Sequence, residues 1–283
     1  MVAVSVPRFS TRRAPREVGA SKGHLMKHRL GLLVAALVSG AAVADDGAQK
    51  VMECMRANVP AHLSIGQAEL TRYDRTGGAF SLRGRLFSAR GKDGLAAATL
   101  YIDAPADYKG SAYLAKETRD YLRDGMFVYL PAVKRVRRIS GNFADGALMG
   151  TNFSYLDFKE MQNAFGDLSA KLEPEAEVNG RPAYVLAFEA LPGVETRYTS
   201  VRAWVDKEAC VAVKAEFSDG QRVAKVLSSP AGAVKKAGKT WYVAEIEMKD
   251  VVEGTRSVMK LDQLDSAHDL SAQYFDPNAF YLR

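Results

Sequence analysis

The sequence predicts an α+β fold in which a curved antiparallel sheet of about ten to twelve strands closes on itself or is capped by helices. Three observations lead there. Short apolar runs, many alternating with polar residues, recur from Ile65 to Leu261. The connections between them are short and carry glycine, asparagine and aspartate, as antiparallel neighbours require. Only two stretches of any length, Asp45 to Pro60 and Ser154 to Phe165, have helical periodicity.

The first 44 residues read as a targeting segment. Residues 1–25 are basic and polar (Arg8, Arg12, Arg13, Arg16) and aperiodic; Arg12-Arg13 lies too far from the apolar run for a twin-arginine signal. Met26-Lys27-His28-Arg29 then heads an apolar run from Leu30 to Val38, followed by small residues ending Ala42-Val43-Ala44. The run is too short to span a membrane as a helix. The pattern places the start at Met26 and cleavage after Ala44, and no cysteine sits at the cut. The expected product is a soluble periplasmic chain, residues 45–283, forming one domain. Removing 1–44 takes away seven of 39 Lys/Arg and one of 33 Asp/Glu, which leaves 32 of each. The basic pI of about 9.2 therefore belongs to the leader and gives no support to nucleic-acid binding.

Asp45 to Pro60 reads as a helix with Val51, Met52, Met55 and Val59 as its apolar stripe. Strands follow. Ala68, Leu70 and Tyr73 lead to a turn at Thr76-Gly77-Gly78. Phe80, Leu82, Gly84 and Leu86 alternate with polar residues, and Gly91 to Gly94 turns the chain. Ala97 to Ile102 ends before Ala104-Pro105. Tyr113-Leu114-Ala115 and Tyr121-Leu122 are shorter runs, with Arg123-Asp124-Gly125 as a turn into the next strand.

Met126 to Phe165 organises the rest. It opens as a strand that Pro131 ends, since proline cannot donate to a ladder. The basic run Lys134-Arg135-Val136-Arg137-Arg138 follows, then a glycine-rich loop carrying Phe143, Leu148 and Met149. Ser154 with Asp157 three residues on forms a capping-box pattern. Phe158, Met161 and Phe165 share one helical face, and Gly166 stands at the C-cap position. The basic run reads either as a solvated strand face or as a docking patch (Lys134, Arg135, Arg137, Arg138) for anionic headgroups or a partner.

This stretch, from Tyr129-Leu130-Pro131 and Lys134 to Ile139 through Leu148-Met149-Gly150-Thr151-Asn152-Phe153-Ser154-Tyr155-Leu156-Asp157, resembles the LolA-like outer-membrane lipoprotein-sorting proteins. It resembles most the branch often encoded near RND-type exporters. Thr151 and Asn152 stand where the family usually has serine and aspartate. The resemblance implies a half-barrel whose concave face is covered by helices, with acyl chains held between them. It implies that the first helix, through Met52 and Met55, helps line that cavity.

After the central helix, Lys171-Leu172-Glu173 and Glu177-Val178 lead to Asn179-Gly180, the strongest hairpin signal in the chain. Ala183 to Phe188, Val201 to Asp206, Val211 to Phe217 and Arg222 to Leu227 read as strands. Trp241 to Met248 reads as one strand pairing with Ser257 to Leu261. The tail from Tyr274 to Leu282 resembles the family's closing pattern, with Asp276 in place of a threonine.

Chemistry-bearing constellations are few. His24 and His28 leave with the leader, and His62 and His268 have no cysteine or carboxylate at metal-ligand spacing. There is no nucleophile elbow, P-loop or dinucleotide fingerprint. Acid pairs such as Asp262/Asp265 and Glu245/Glu247 fit solvated strand positions. The expectation is therefore no enzyme, no metal and no cofactor. Cys54 and Cys210 are either two buried thiols or, in an oxidising compartment, a disulfide tying the first helix to a late strand.

The bulky apolar residues Tyr101, Phe127, Tyr129, Leu148, Met149, Phe153, Trp204, Trp241 and Met248 are core or, with Met52 and Met55, cavity lining. Two readings of function remain. One is a monomeric periplasmic carrier of a lipid or acylated protein. It would act between membrane-associated donor and acceptor proteins, an RND-type exporter among the candidates, with the Phe143–Phe153 loop as lid. The other is a non-catalytic envelope module that binds a protein partner.

Overall fold

The structure, a computed structural model, describes residues 46–120, 124–163, 170–189 and 197–282. The expected leader, Tyr121 to Arg123, Phe165 and the Gly166 cap lie outside the described residues.

Helix α1 (Asp46–Ala57) places Ala48, Val51, Met52 and Met55 on one buried face. Asp46 in its first turn and Arg56 in its last complement the helix dipole. Six strands then meander: β1 (His62–Tyr73), β2 (Ala79–Arg90), β3 (Ala96–Ala104), β4 (Ala112–Lys116), β5 (Gly125–Leu130) and β6 (Arg135–Ile139). Turn chemistry fixes the registers. Asp74 Oδ1 accepts from the Thr76 and Gly78 amides at 2.8 and 2.9 Å, where Gly77 has a φ of 88°.

Two short 3-10 segments, Gly141–Asp145 and Leu148–Gly150, lead into helix α2 (Tyr155–Asn163). A second meander follows: β7 (Ala170–Val178), β8 (Arg181–Glu189), β9 (Ser200–Asp206), β10 (Ala212–Ser218) and β11 (Val223–Ser228). The small hairpin β12 (Val234–Ala237) and β13 (Thr240–Val243) stands apart from the main sheet. Then β14 (Glu245–Asp250) and β15 (Thr255–Asp265) complete it.

The main sheet has thirteen antiparallel strands in the order β6-β5-β4-β3-β2-β1-β15-β14-β11-β10-β9-β8-β7. Both meanders thus meet at the β1–β15 seam, in register from Ser64↔Asp265 to Tyr73↔Arg256. The sheet is curved and not closed: β6 and β7 are its two edges, and the segment carrying α2 connects them.

Two expectations are corrected. Among the described residues the strands number fifteen rather than ten to twelve. Trp241 to Met248 is two strands, because at Ala244 the chain leaves the β12 hairpin for β15: the Ala244 amide donates to Ala233 O and its carbonyl accepts from Leu261 N. Val234–Ala237, given no element from the sequence, is β12.

The two faces of the sheet are covered by different parts of the chain. On the inner face, Leu70, Leu82, Leu86, Leu100, Ile102, Tyr113 and Met248 share one buried cluster with Val51, Met52 and Met55 of α1 and Phe158 of α2. On the outer face of β2–β6, Tyr101, Ala112 and Leu114 pack with Phe280, and Phe87, Phe127, Tyr129, Val136, Tyr274, Phe275 and Tyr281 surround them. The C-terminal segment is held there by Thr99 Oγ1 donating to Tyr274 O at 2.5 Å and by the Tyr101 hydroxyl donating to Phe280 O.

Candidate functional site

The inner face carries an apolar cavity of about 190 Å³. Its wall combines Leu63 and Ile65 of β1, Leu86 and Ser88 of β2, Ile246 of β14, Met259, Leu261 and Leu264 of β15, and Val211, Ala212 and Ala215 at the β10 end. Met55, Asn58, Val59 and Pro60 close it from α1 and its exit, Trp241 and Tyr242 from the β13 hairpin, and Met161 from α2. Three non-neighbouring elements are locked together around it. Cys54 of α1 and Cys210 of the β9–β10 turn form a disulfide with Cα atoms 5.7 Å apart. Asn58 Nδ2 donates to Trp241 O at 2.7 Å, and the Trp241 amide returns a bond to Asn58 Oδ1 at 2.9 Å.

A second, larger cleft of about 800 Å³ lies against Gln67, Glu69, Arg83, Lys235, Lys260 and Asp262. Its charges of both signs oppose burial of apolar matter, since desolvating each costs free energy that a hydrocarbon cannot return.

The segment before α2 is pinned rather than loose. The capping box is reciprocal: the Ser154 amide donates to Asp157 Oδ2 at 2.7 Å and the Asp157 amide donates to Ser154 Oγ at 2.9 Å. Asn152 bonds Ser257 Oγ through its amide at 2.9 Å and Thr255 Oγ1 through Nδ2 at 2.7 Å, and Arg72 Nη1 donates to Gly150 O at 3.2 Å. Met149 takes a left-handed φ of 50°.

Beneath this segment lie ion pairs that sequence reasoning missed. Lys225 of β11 meets Asp157 at 2.8 Å, both nearly fully buried. Lys159 of α2 meets Asp124 at 2.6 Å, also buried. A signal existed for the first: Lys225 has the same strand parity as inward-facing Leu227. Beside it, burial and the Asp157 charge push the Tyr198 hydroxyl above its ordinary range, against the opposing pull of Arg197. Arg197 itself donates to Asp145 through its amide at 2.7 Å and to the Tyr198 hydroxyl through Nε at 2.6 Å.

The candidate lining residues separate into groups. Met55 and Trp241 line the cavity. Met52, Leu148, Met149, Phe153 and Met248 are buried in the inner core around it. Tyr101, Phe127 and Tyr129 belong to the outer cluster under the C-terminal segment. Trp204 is half-buried beneath two cations, with Lys214 Nζ 4.2 Å from its ring centroid and Arg202 at 6.0 Å, while its neighbours Ala203 and Val205 face the core.

The basic run is edge strand β6. Alternation places Arg135 and Arg137 on the face of buried Ile139, and Val136 and Arg138 on the outer face. Arg138 lies 6.0 Å from the Phe127 ring, and Lys134 sits in the preceding turn at a φ of 48°. The three arginines are therefore divided between two faces of one edge, with Lys134 in the turn before it. No group of three or more potential ligands fit for a metal exists among the described residues.

The architecture is a large, curved and open antiparallel sheet with few helices, and solved structures share it. A DUF1329 family protein from Desulfovibrio piger matches with a TM-score of 0.75 and 26% identity, over 83% of this chain and 98% of that one. An outer membrane lipoprotein-sorting protein domain from Vibrio parahaemolyticus matches at 0.75 and 22%, over 83% and 99%. A LolA superfamily protein from Nitrosomonas europaea matches at 0.63 and 19%, over 81% and 97%. A family model described as "-like: Uncharacterized protein" matches residues 94–281. The chain belongs to the family of that model, and it shares its fold with the DUF1329, lipoprotein-sorting and LolA superfamily structures. No curated protein matches it.

Proposed function

We propose that this protein is a periplasmic, non-catalytic carrier that takes acyl chains of a lipid or an acylated protein into the inner-face cavity and presents them between envelope membranes. The observation that carries the reading is the cavity's wall: methionine, leucine, isoleucine, valine and tryptophan from eight elements, with Asn58, Ser88 and Thr240 among its few polar side chains. Each methylene moved from water into such a wall gains about 0.8 kcal/mol. At about 190 Å³ the cavity is smaller than a typical small-molecule site of roughly 300–1,000 Å³, so a whole chain enters only as the wall opens. In this reading the Phe143–Phe153 segment is the lid: discrete polar contacts, and not a strand ladder, pin it to the sheet, and opening breaks them. The leader that directs export, the single domain over 45–283 and a monomeric state are part of this proposal.

The test is uptake of a fluorescent acyl probe, together with native mass spectrometry of protein taken gently from the periplasm. Leu63→Glu places a charge in the half-buried wall and lowers probe affinity by about tenfold or more while the melting temperature stays near wild type. Equal uptake by the variant overturns the cavity reading.

The edge strand β6 favours a second reading, an interaction module. Its outer edge has no strand partner among the described residues, and its exposed Arg135 and Arg137 suit an acidic extended segment or an exporter-associated partner. That reading predicts a stable protein complex and no dependence on Leu63.

A further inference from the structure

Arg90 ends β2 at the border of the cavity. Its strand neighbour on the same face, two residues back, is Ser88, which lines the wall. Its amide donates to Ala61 O at 2.9 Å, and Ala61 follows the lining residue Pro60. The guanidinium is held from one side, where Nη1 donates to Gly94 O at 2.7 Å. Its Nε and Nη2 are buried and meet no hydrogen-bond acceptor among the described residues.

Buried donors are satisfied in native proteins in the great majority of cases, and a guanidinium does not lose its charge to escape the cost. Nε and Nη2 are also a matched pair. Together they form the side-on fork that grips two oxygens of one anion. The same fork is filled elsewhere in this molecule. Arg85 Nε and Nη2 hold the two oxygens of Asp103 at 3.0 and 3.3 Å, and Arg181 Nε and Nη2 hold those of Asp206 at 2.5 and 2.9 Å. The next charged residue along the inner row from Arg90 is Glu117, just past the end of β4 and across Ala96, and its Oε2 already accepts from the Ala96 amide at 2.7 Å.

We propose that Arg90 is the headgroup site of the cavity: its Nε–Nη2 fork receives the carboxylate or phosphate of an anionic amphiphile whose chain occupies the apolar wall. This rests on the carrier reading above. Because both donors are covered, the headgroup reaches them through the same opening that admits the chain. The carrier thereby selects anionic amphiphiles over neutral ones of equal chain length.

The experiment measures displacement of the neutral probe N-phenylnaphthylamine by four ligands of one chain length: myristic acid, methyl myristate, myristoyl lysophosphatidate and monomyristoylglycerol. Wild type is expected to prefer an anionic ligand to its neutral counterpart by about tenfold, the scale of one charge-assisted fork. The acid–ester pair and the phosphate–glycerol pair show which headgroup the fork takes. Arg90→Gln removes the preference and leaves affinity for the neutral ligands within about twofold, while Arg90→Lys retains part of it. Binding of all four ligands with no preference in wild type overturns the headgroup site and leaves the carrier reading standing. A preference that survives Arg90→Gln also overturns it. If neither the probe nor any ligand binds, both readings fail together.

Discussion

Single residues decide where this fold tolerates charge. Burial pushes the Asp206 carboxyl up, but hydrogen bonds from Arg181, Ala209 and Glu208 and the Arg181 charge outweigh it, so the group sits below the usual carboxylate range. A depressed carboxylate contributes stability that is present above its unfolded value of about 3.9 and is lost as pH falls through its lower folded value. Asp206→Asn is therefore expected to cost about 2 kcal/mol in urea unfolding at neutral pH, with the gap to wild type closing below about pH 4. A gap that stays constant with pH would show that the charge is not what matters. Lys225 poses the opposite problem. Lys225→Met strands Asp157 as an unpaired buried carboxylate, at a cost of about 3–5 kcal/mol, and adding Asp157→Asn should return part of it. Some of this was legible. Asn179-Gly180 turns with φ of 54° and 76°, as that dipeptide requires, and Ser154/Asp157 cap α2 reciprocally. Both signals are local. Lys225 pairs 68 residues away, and strand parity alone does not name a partner.

Elements were legible as elements, less so in their facing. The hairpin turns and most strand cores follow from alternation and turn residues, but β3 reads Ala-Ala-Ala-Thr-Leu-Tyr-Ile, apolar on both sides. Such a strand is covered on both faces, and its sequence does not tell which cover is which. That is why Tyr101, Phe127 and Tyr129, expected among cavity candidates, pack under the C-terminal segment instead. Edge strand β6 has a test of its own. Reversing Arg135 and Arg137 to Glu should weaken binding to anionic liposomes or an acidic partner by about tenfold at low salt without lowering the melting temperature, since both side chains are exposed. Unchanged binding removes β6 as a docking edge. The link between α1 and the β9–β10 turn is covalent and closes a loop of 156 residues, worth about 5 kcal/mol in the chain-entropy account. Reduction under native conditions should lower the melting temperature markedly, and Cys54→Ser should match the reduced protein. A reductant-insensitive melting curve would count against that link.

At the scale of the molecule, the decisive fact is an ordering. The chain builds six strands outward from β1, crosses through α2, and builds seven back to β15, so the two ends of the sheet sequence meet at its centre. The seam joins residues nearly two hundred positions apart, such as Thr71 and Val258. It leaves β6 and β7 as the two edges of the sheet among the described residues and gathers the cavity wall from both halves of the chain. By itself the sequence determined the strand-rich composition, the turns, the capping of α2, the leader pattern and the resemblance to lipoprotein-sorting proteins, because each is written in residues close together along the chain. Tertiary structure alone decided which face each aromatic serves, which buried lysine meets which carboxylate, and where Arg90 stands relative to the apolar wall. Those depend on contacts between distant segments, and their geometry is set by the sheet order rather than by any local pattern.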